Sequence, residues 1–179
     1  MYSDQMRSSN SLTRGLAAMF VVCAGSLMAQ TPPSAAAPIA DLNQIMRILF
    51  FPHSNVLFFT QRFDPAAVKR APEPSSSTDP LTGVFGGWEA VENSARLMVE
   101  GADFLMTPGR KCSNGRDMPT NRPEWVEMVK HLREAGVVAL KAAQTKNMER
   151  MIDATATLND SCMECHNRFR PRTIANRCQ

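Results

Sequence analysis

Near the carboxyl end of the chain, the stretch NDSCMECHNRFRPR contains Cys162, Cys165 and His166 within five positions. Two thiols and one imidazole at this spacing are typical of three chemistries: binding of a zinc ion, thiol–disulfide exchange, or covalent attachment of haem through two thioether bonds. Each chemistry makes a different demand on the rest of the chain. The remaining sequence therefore discriminates among them.

Zinc binding and thiol exchange are the weaker interpretations. A structural zinc site needs four protein ligands, usually supplied as two pairs, and no second pair is present. The other candidate ligands beyond the amino-terminal region are scattered: His53, Cys112, His131 and Cys178. A redox-active C-x-x-C normally opens a helix that follows a strand, where the helix amino terminus lowers the thiol pKa. Here the pair lies near the end of a predicted helix, in a sequence without strand patterns.

Haem attachment agrees with the rest of the sequence. In the motif C-x-x-C-H both sulfurs bond to haem vinyl groups, and the adjoining histidine becomes the proximal iron ligand. A helix holds Cys162 and Cys165 on one face, about one turn apart. No methionine or histidine follows His166, so a sixth iron ligand is expected from upstream. The sequence predicts one covalent haem c held by Cys162, Cys165 and His166.

The amino terminus has the pattern of an export signal. Residues 1–15 carry Arg7 and Arg14, and the apolar run over residues 16–29 has the length of a signal-peptide core. We expect a signal peptide over residues 1–29 and a flexible linker over residues 30–38. The mature protein is then expected in the periplasm, an oxidising compartment, with no stable membrane insertion after cleavage. The alternative is an uncleaved amino-terminal anchor.

Composition argues for a single soluble globular domain, which we expect over residues 39–179. The chain has 179 residues, of which 44% are hydrophobic and 21% charged. A net charge of +3 with scattered basic residues does not indicate nucleic-acid binding. No paired carboxylates, serine–histidine arrangement or phosphate-binding loop stands out, so no enzymatic activity is predicted.

Helical periodicity dominates the predicted domain. The first helix begins behind Asp41 and is ended or kinked by Pro52, after which a second piece can continue it. A second helix is predicted over residues 88–106, and a third begins at Pro123. A break at residues 144–147 separates the third helix from the fourth.

The fourth helix carries the haem motif on its predicted buried face. Residues at steps of three or four form this face: Met151, Ala154, Leu158, Cys162, Cys165 and Phe169. Residues 63–87 contain four prolines and three glycines, which predicts a long irregular loop. The expected fold is therefore all-α, a four-helix bundle with covalently attached haem near the C-terminus.

This combination resembles the cytochrome c′ family (class II c-type cytochromes). The resemblance covers the architecture of residues 39–172 and is specific at Cys162, Cys165, His166, Phe169 and Arg170. It implies that the first helix lines the distal haem face, and that Phe169 and Arg170 belong to the haem environment. Most members of that family leave the sixth iron site empty and bind small gases such as NO or CO. Low-spin relatives fill the site with a first-helix methionine and transfer electrons.

The chain also departs from the family pattern. Asn43–Gln44 stands where an Arg–Gln pair is usual, and Pro52 interrupts the first helix early. Met46 is our candidate for the sixth ligand because it lies on the predicted buried side of that helix, and core packing is the alternative role. His131 shares its helical face with charged residues, and His53 follows Pro52 at a predicted bend, so both are weaker candidates.

The predicted function is that of a periplasmic mono-haem c-type cytochrome, which transfers electrons through its haem iron to an unidentified redox partner. The alternative is a five-coordinate haem protein that binds gases of the NO/CO type, and a third hypothesis is a helical docking module. A homodimer is compatible with the resemblance. Cys112 and Cys178 either pair, pinning the tail to the loop between the second and third helices, or remain unpaired.

Overall fold

The computed structural model describes residues 37–67 and 86–178. The predicted signal peptide, most of the predicted linker and most of the 63–87 loop lie outside the described residues. The described part of the chain is helical and contains no strand; Lys111 and Asp117 form one isolated antiparallel bridge. Within it, no helix combines the length and the apolar character needed to cross a membrane.

The first helical run covers residues 42–59 and has three parts. They are α1 (Leu42–Ile45), a π-helical turn (Met46–Phe50) and α2 (Phe51–Phe59). A capping box starts the run: the Asp41 carboxylate accepts from the Gln44 amide, and the Gln44 side chain accepts from the Asp41 amide, both at 2.8 Å.

We expected the helix either to end or to kink at Pro52, and it does not end there. Proline lacks an N–H and its ring crowds the carbonyl four residues earlier, which an ordinary α-helical turn cannot accommodate without distortion. Here the π-helical turn directly precedes the Phe51–Pro52 step, and the Phe51 amide bonds the Met46 carbonyl. The wider turn accounts for the continuation of the helix beyond Pro52.

The other three helices agree with the predicted ones. They are α3 (Gly87–Gly101), which continues as a 3-10 segment (Ala102–Met106), α4 (Pro123–Gln144) and α5 (Met148–Phe169). Pro123 occupies the first turn of α4, where its missing N–H costs no hydrogen bond. The Asn147 side chain caps α5 by accepting from the Arg150 amide at 2.9 Å. The four-helix, all-α prediction is therefore confirmed.

Helix α4 is the centre of the bundle, because it packs against both α3 and α5. A stripe of residues at helical spacing on the second helix is buried throughout: Val91, Ala95, Met98, Ala102 and Leu105. On α4, Gly136 allows close approach to α3. A Cβ atom at this glycine would lie 3.1 Å from the Val99 backbone nitrogen and 3.0 Å from a Val99 methyl carbon.

The 107–122 loop and the carboxyl-terminal tail are joined covalently. Cys112 and Cys178 form a disulfide with a Cα–Cα distance of 6.1 Å, so of the two alternatives the structure has the paired one. The Asn114 amide group also lies within hydrogen-bond distance of three tail carbonyls, including that of Arg177 at 3.1 Å. The Leu42 amide donates to the Lys111 carbonyl at 2.8 Å, which attaches the start of α1 to the same loop.

Candidate functional site

A cavity of about 760 Å³ separates the first helical run from α5. These two elements make few direct contacts, whereas α4 contacts α5 closely. The walls come mainly from the first run, α4 and α5, with Met98 and Leu105 contributed by the second helix. The volume lies within the range of roughly 300–1,000 Å³ that is usual for ligand and cofactor sites.

Cys162, Cys165 and His166 all line this cavity. The remainder of the predicted α5 stripe is fully buried: Met151, Ala154, Leu158 and Phe169. The two cysteines lie on the same stripe but are only partly buried, and neither is in a disulfide. They are accessible because the space in front of them is the cavity rather than another helix.

Burial sets the protonation of the motif. It raises the pKa of the Cys162 thiol. Burial, followed by the charges of Cys162 and Glu164, raises the pKa of Cys165 to about 11. Burial also lowers the pKa of His166, with a further contribution from Arg170. At neutral pH the motif therefore offers two protonated thiols and a neutral imidazole, the form of histidine that binds metals.

These properties differ from those of the two weaker interpretations. A thiol-exchange site depends on a lowered cysteine pKa, and here both are raised. Across residues 37–67 and 86–178, no group of three or more His, Cys, Asp or Glu side chains is arranged to hold a metal ion directly. The motif residues share a cavity wall without converging on one point, as ligands of a zinc ion would.

Met46 lines the same cavity from the first helical run. It is the first residue of the π-helical turn, a type of irregularity that is frequent at functional sites. Its side chain is partly buried against the core. Met98, Met128 and Met163 line the cavity as well, so the structure brings Met46 and His166 to one site without making Met46 the sole methionine there.

The other two histidines do not line the cavity. His131 lies at the surface between carboxylates, with its ring nitrogens 3.1 Å from Glu127 and 3.0 Å from Glu164. The hydrogen bond with Glu164 raises the pKa of His131. His53 lies within the first helical run rather than at a helix end, and its Nδ1 is 3.1 Å from the Ser94 hydroxyl.

Trp125 and Phe169 form an aromatic wall of the cavity. Their rings meet edge to face, with centroids 4.9 Å apart and planes at 74°. The indole N–H donates to the Leu105 carbonyl at 2.9 Å, which fixes the ring. Arg170 is exposed and lines the same cavity next to Phe169. The sequence had indicated no functional role for Trp125.

Two further arginines, Arg47 and Arg177, line the cavity and had not been identified from the sequence. Arg47 follows Met46 directly, and this proximity was the only available signal. Arg177 lies in the tail next to Cys178, whose disulfide joins the tail to the 107–122 loop. No local sequence pattern indicates that Arg177 lines the cavity.

Comparisons of the chain with protein-family models, with curated proteins and with solved structures found no match. Function is therefore inferred from the residues and geometry of the chain itself. The cavity combines apolar and aromatic walls with two unpaired thiols, one neutral imidazole and a nearby thioether. Such a site suits a large, mostly apolar group that forms bonds to sulfur and carries a metal.

Proposed function

We propose that the protein is a mono-haem c-type cytochrome that transfers electrons, with haem attached to Cys162 and Cys165 and its iron held by His166. One observation carries this proposal: the complete C-x-x-C-H motif lines a cavity of about 760 Å³. A motif of this kind on a solid helix–helix interface would leave no room for a macrocycle. Here the two thiols and the imidazole lie at a cavity that is large enough for one.

The residues of the cavity fit a haem. Apolar and aromatic side chains such as Phe50, Val129 and Leu132 suit the faces of a macrocycle. Each thioether forms when a cysteine sulfur bonds to one vinyl carbon and the thiol hydrogen goes to the other, so protonated thiols supply all the atoms required. His166, neutral at neutral pH, can donate a lone pair to iron. The bound group would supply a one-electron couple at its iron.

The protein's own contribution would be to bury the macrocycle and to set the axial ligands. Axial-ligand identity, burial and hydrogen bonding are the main determinants of haem potential. Met46 is the proposed distal ligand, since it lines the cavity from a different helix than His166. Trp125 and Phe169 would exclude water from the site.

A second candidate function is binding of a small gas by a five-coordinate haem. It is favoured by the apolar side chains of the first helical run that line the cavity together with Met46, among them Phe50 and Phe58. If Met46 only packs against the core, the sixth position would stay open within an apolar pocket. The two candidates therefore differ in the role of one side chain.

Retention of haem by the denatured protein tests attachment. The full-length chain would be produced in a periplasmic c-type maturation background and examined for haem after denaturation. We expect covalent haem in the wild type and none in Cys162→Ala/Cys165→Ala. Cys112→Ser/Cys178→Ser is the matched control with two cysteines removed elsewhere, and it should retain covalent haem. A colourless wild-type chain would refute both candidate functions.

The visible spectrum of the haem protein separates the two candidates. We expect a low-spin ferric spectrum that becomes high-spin in Met46→Leu, with Met128→Leu as a cavity-lining control that leaves it unchanged. A spectrum that is high-spin already in the wild type would refute methionine ligation and support the gas-binding candidate. Binding of CO to the ferrous wild type would then be measured directly.

We also propose that the chain is a divergent relative of the cytochrome c′ family and is exported to the periplasm. The architecture of four helices and the CMECHNRFR stretch on the last one support the first statement. The charged and apolar pattern of residues 1–29 supports the second. Amino-terminal sequencing of the mature protein should find a start near residue 30.

A further inference from the structure

The charges that line the cavity have a single sign. In the part of the chain that the structure describes, Arg47, Arg170 and Arg177 line it, and no aspartate or glutamate does. Among the described residues, none of these three arginines has a carboxylate within ion-pair distance. Surface arginines elsewhere behave differently: for example, Arg96 pairs with Glu92. A cavity with three guanidinium groups and no acid favours an anionic ligand.

Arg47 and Arg177 line the cavity from segments that are joined to one another, and we call this part of the lining the polar end. It is built from the start of the first helical run, the 107–122 loop and the tail. Asn43, one turn before Arg47, and Ser113 of the loop also line the cavity. The hydrogen bond from the Leu42 amide to the Lys111 carbonyl and the Cys112–Cys178 disulfide hold the three segments together. A backbone hydrogen bond and a disulfide therefore tie together the segments of the polar end.

We propose that Arg47 and Arg177 form a carboxylate-binding pair at the polar end, and that its ligand is the two propionate side chains of haem. This proposal rests on the proposed function. Haem carries its vinyl groups and its propionates on different edges, so thiols that take the vinyl edge leave the carboxylates for other partners. Guanidinium groups bind carboxylates with two parallel hydrogen bonds, which makes arginine well suited to this role. The family resemblance assigns Arg170 to the haem environment, and the proposed pair consists of Arg47 and Arg177.

The disulfide is a positioning element for Arg177. Cys178 follows Arg177 directly, and its amide donates to the Phe169 carbonyl at 2.7 Å. The Arg177 Nε donates to the Pro171 carbonyl at 3.4 Å, which folds the tail back on itself. Breaking the disulfide would release the tail end and remove Arg177 from the polar end, while Arg47 would stay in its helix.

Binding of two porphyrins that differ only in their carboxylates tests the pair. The full-length chain with Cys162→Ala/Cys165→Ala would be titrated with haemin and with haemin dimethyl ester, with binding followed by quenching of tryptophan fluorescence. We expect haemin to bind at least about tenfold more tightly than the ester. Arg47→Gln and Arg177→Gln should each reduce this preference several-fold, and the double variant should abolish it.

Two arginines that do not line the cavity provide matched controls. Arg172→Gln lies in the same tail and Arg62→Gln follows the first helical run, and both side chains are exposed. Each control should keep the full preference for haemin. A preference that is absent with all arginines intact, or unchanged in the double variant, would refute the carboxylate pair, as would failure of both porphyrins to bind.

The contribution of the disulfide is tested in the same assay. Cys112→Ser/Cys178→Ser should lower the preference for haemin as much as Arg177→Gln does. Combining it with Arg177→Gln should cause no further loss, because both changes remove the same contact. Additive losses would refute the positioning role.

Failure of this inference can be distinguished from failure of the proposed function. Wild-type protein without covalent haem, together with an arginine-dependent preference for haemin, would refute thioether attachment alone. Covalent haem in the wild type, together with a preference that does not depend on Arg47 and Arg177, would refute the carboxylate pair alone.

Discussion

The two sides of helix α4 show two different ways of building a bundle. Against α3 the interface is filled, and Gly136 brings the helix backbones so close that one added carbon would meet the Val99 backbone. On the side of α5, the first helical run stands off from that helix, and a cavity of about 760 Å³ takes the place of side-chain contacts. Protein interiors are normally packed to crystal density, and a space of this size has the volume that is usual for a ligand site.

The Cys112–Cys178 disulfide is a covalent link between two segments that border the cavity. Its removal should lower the free energy of unfolding more than any other change considered below. Cys112 and Cys178 are separated by 66 positions. Opening a loop of that length should lower the free energy of unfolding by about 4 kcal/mol. Urea unfolding of haem-free Cys112→Ser/Cys178→Ser would measure the loss.

A matched pair of cysteines serves as the control for this prediction. Cys162→Ser/Cys165→Ser also removes two thiols but breaks no bridge. In Cys112→Ser/Cys178→Ser, hydrogen exchange should show lost protection at the amide of residue 178, with α4 unchanged at Ala139. Equal losses of stability in the two double variants would contradict a specific role of the bridge.

Two methionines compare filled core with the wall of the cavity. Met151 is fully buried and does not line the cavity, whereas Met46 is partly buried and does. In the haem-free chain, Met151→Ala should lower the free energy of unfolding by about 3 kcal/mol, because it creates a new void in filled core. Met46→Ala should cost less than about 1 kcal/mol, because it only enlarges an existing space. Similar losses from urea unfolding would show that the cavity is not open in solution.

Two buried glycines, Gly101 and Gly136, test the same difference between cavity wall and filled core. An alanine Cβ at Gly101 would meet the Phe50 ring at 3.4 Å, and that ring can move toward the cavity it lines. An alanine Cβ at Gly136 would meet backbone, which cannot move aside. Gly136→Ala should therefore lower the free energy of unfolding by about 1–2 kcal/mol despite its better helix propensity. Gly101→Ala should be neutral or stabilising by up to about 1 kcal/mol, and thermal unfolding would rank the two.

The smallest expected effect comes from the surface link between α4 and α5. His131 contacts Glu164, whose hydrogen bond raises the pKa of the imidazole. A raised folded-state pKa means that the stabilisation is fully present below the unfolded pKa of about 6.5 and is lost as pH rises through the folded value. Because both side chains are substantially exposed, at 39% and 49%, the effect should stay below about 0.5 kcal/mol after solvent screening.

Unfolding of His131→Gln at about pH 5.5 and about pH 8.5 tests this sign. The variant should be less stable than the wild type only at the lower pH. Lys130→Gln removes a neighbouring charge that pairs with Glu127 and leaves the imidazole in place, so its effect should be the same at both pH values. A larger deficit at the higher pH would contradict the assigned cause.

Much of the fold follows from local sequence patterns. The buried stripe over Val91 to Leu105 and the break between α4 and α5 are visible in the sequence because helical periodicity and caps act over a few residues. The course of the chain at Pro52 could not be predicted in the same way. Proline excludes an ordinary helix interior, but whether the chain ends, kinks or widens into a π-helical turn depends on what the helix packs against.

The candidate site was predictable only in its C-x-x-C-H motif. The spacing of Cys162, Cys165 and His166 is itself the signal, and the structure places all three on one cavity. The inclusion of Arg177 could not be predicted, because it requires the tail to return across 66 positions to Cys112. The pairing of those two cysteines was likewise open, since spacing alone does not determine which thiols meet.

The sequence by itself determined the helices and the grouping of two thiols and an imidazole on the last one, because both depend on residues within a few positions of one another. Only the tertiary structure decided that the first helical run stands off from α5, and that Met46, Trp125 and Arg177 reach the same space as the motif. The physical reason is that a cavity is a property of how distant segments pack. The hydrophobic periodicity of one segment carries no information about its distance from a neighbouring segment.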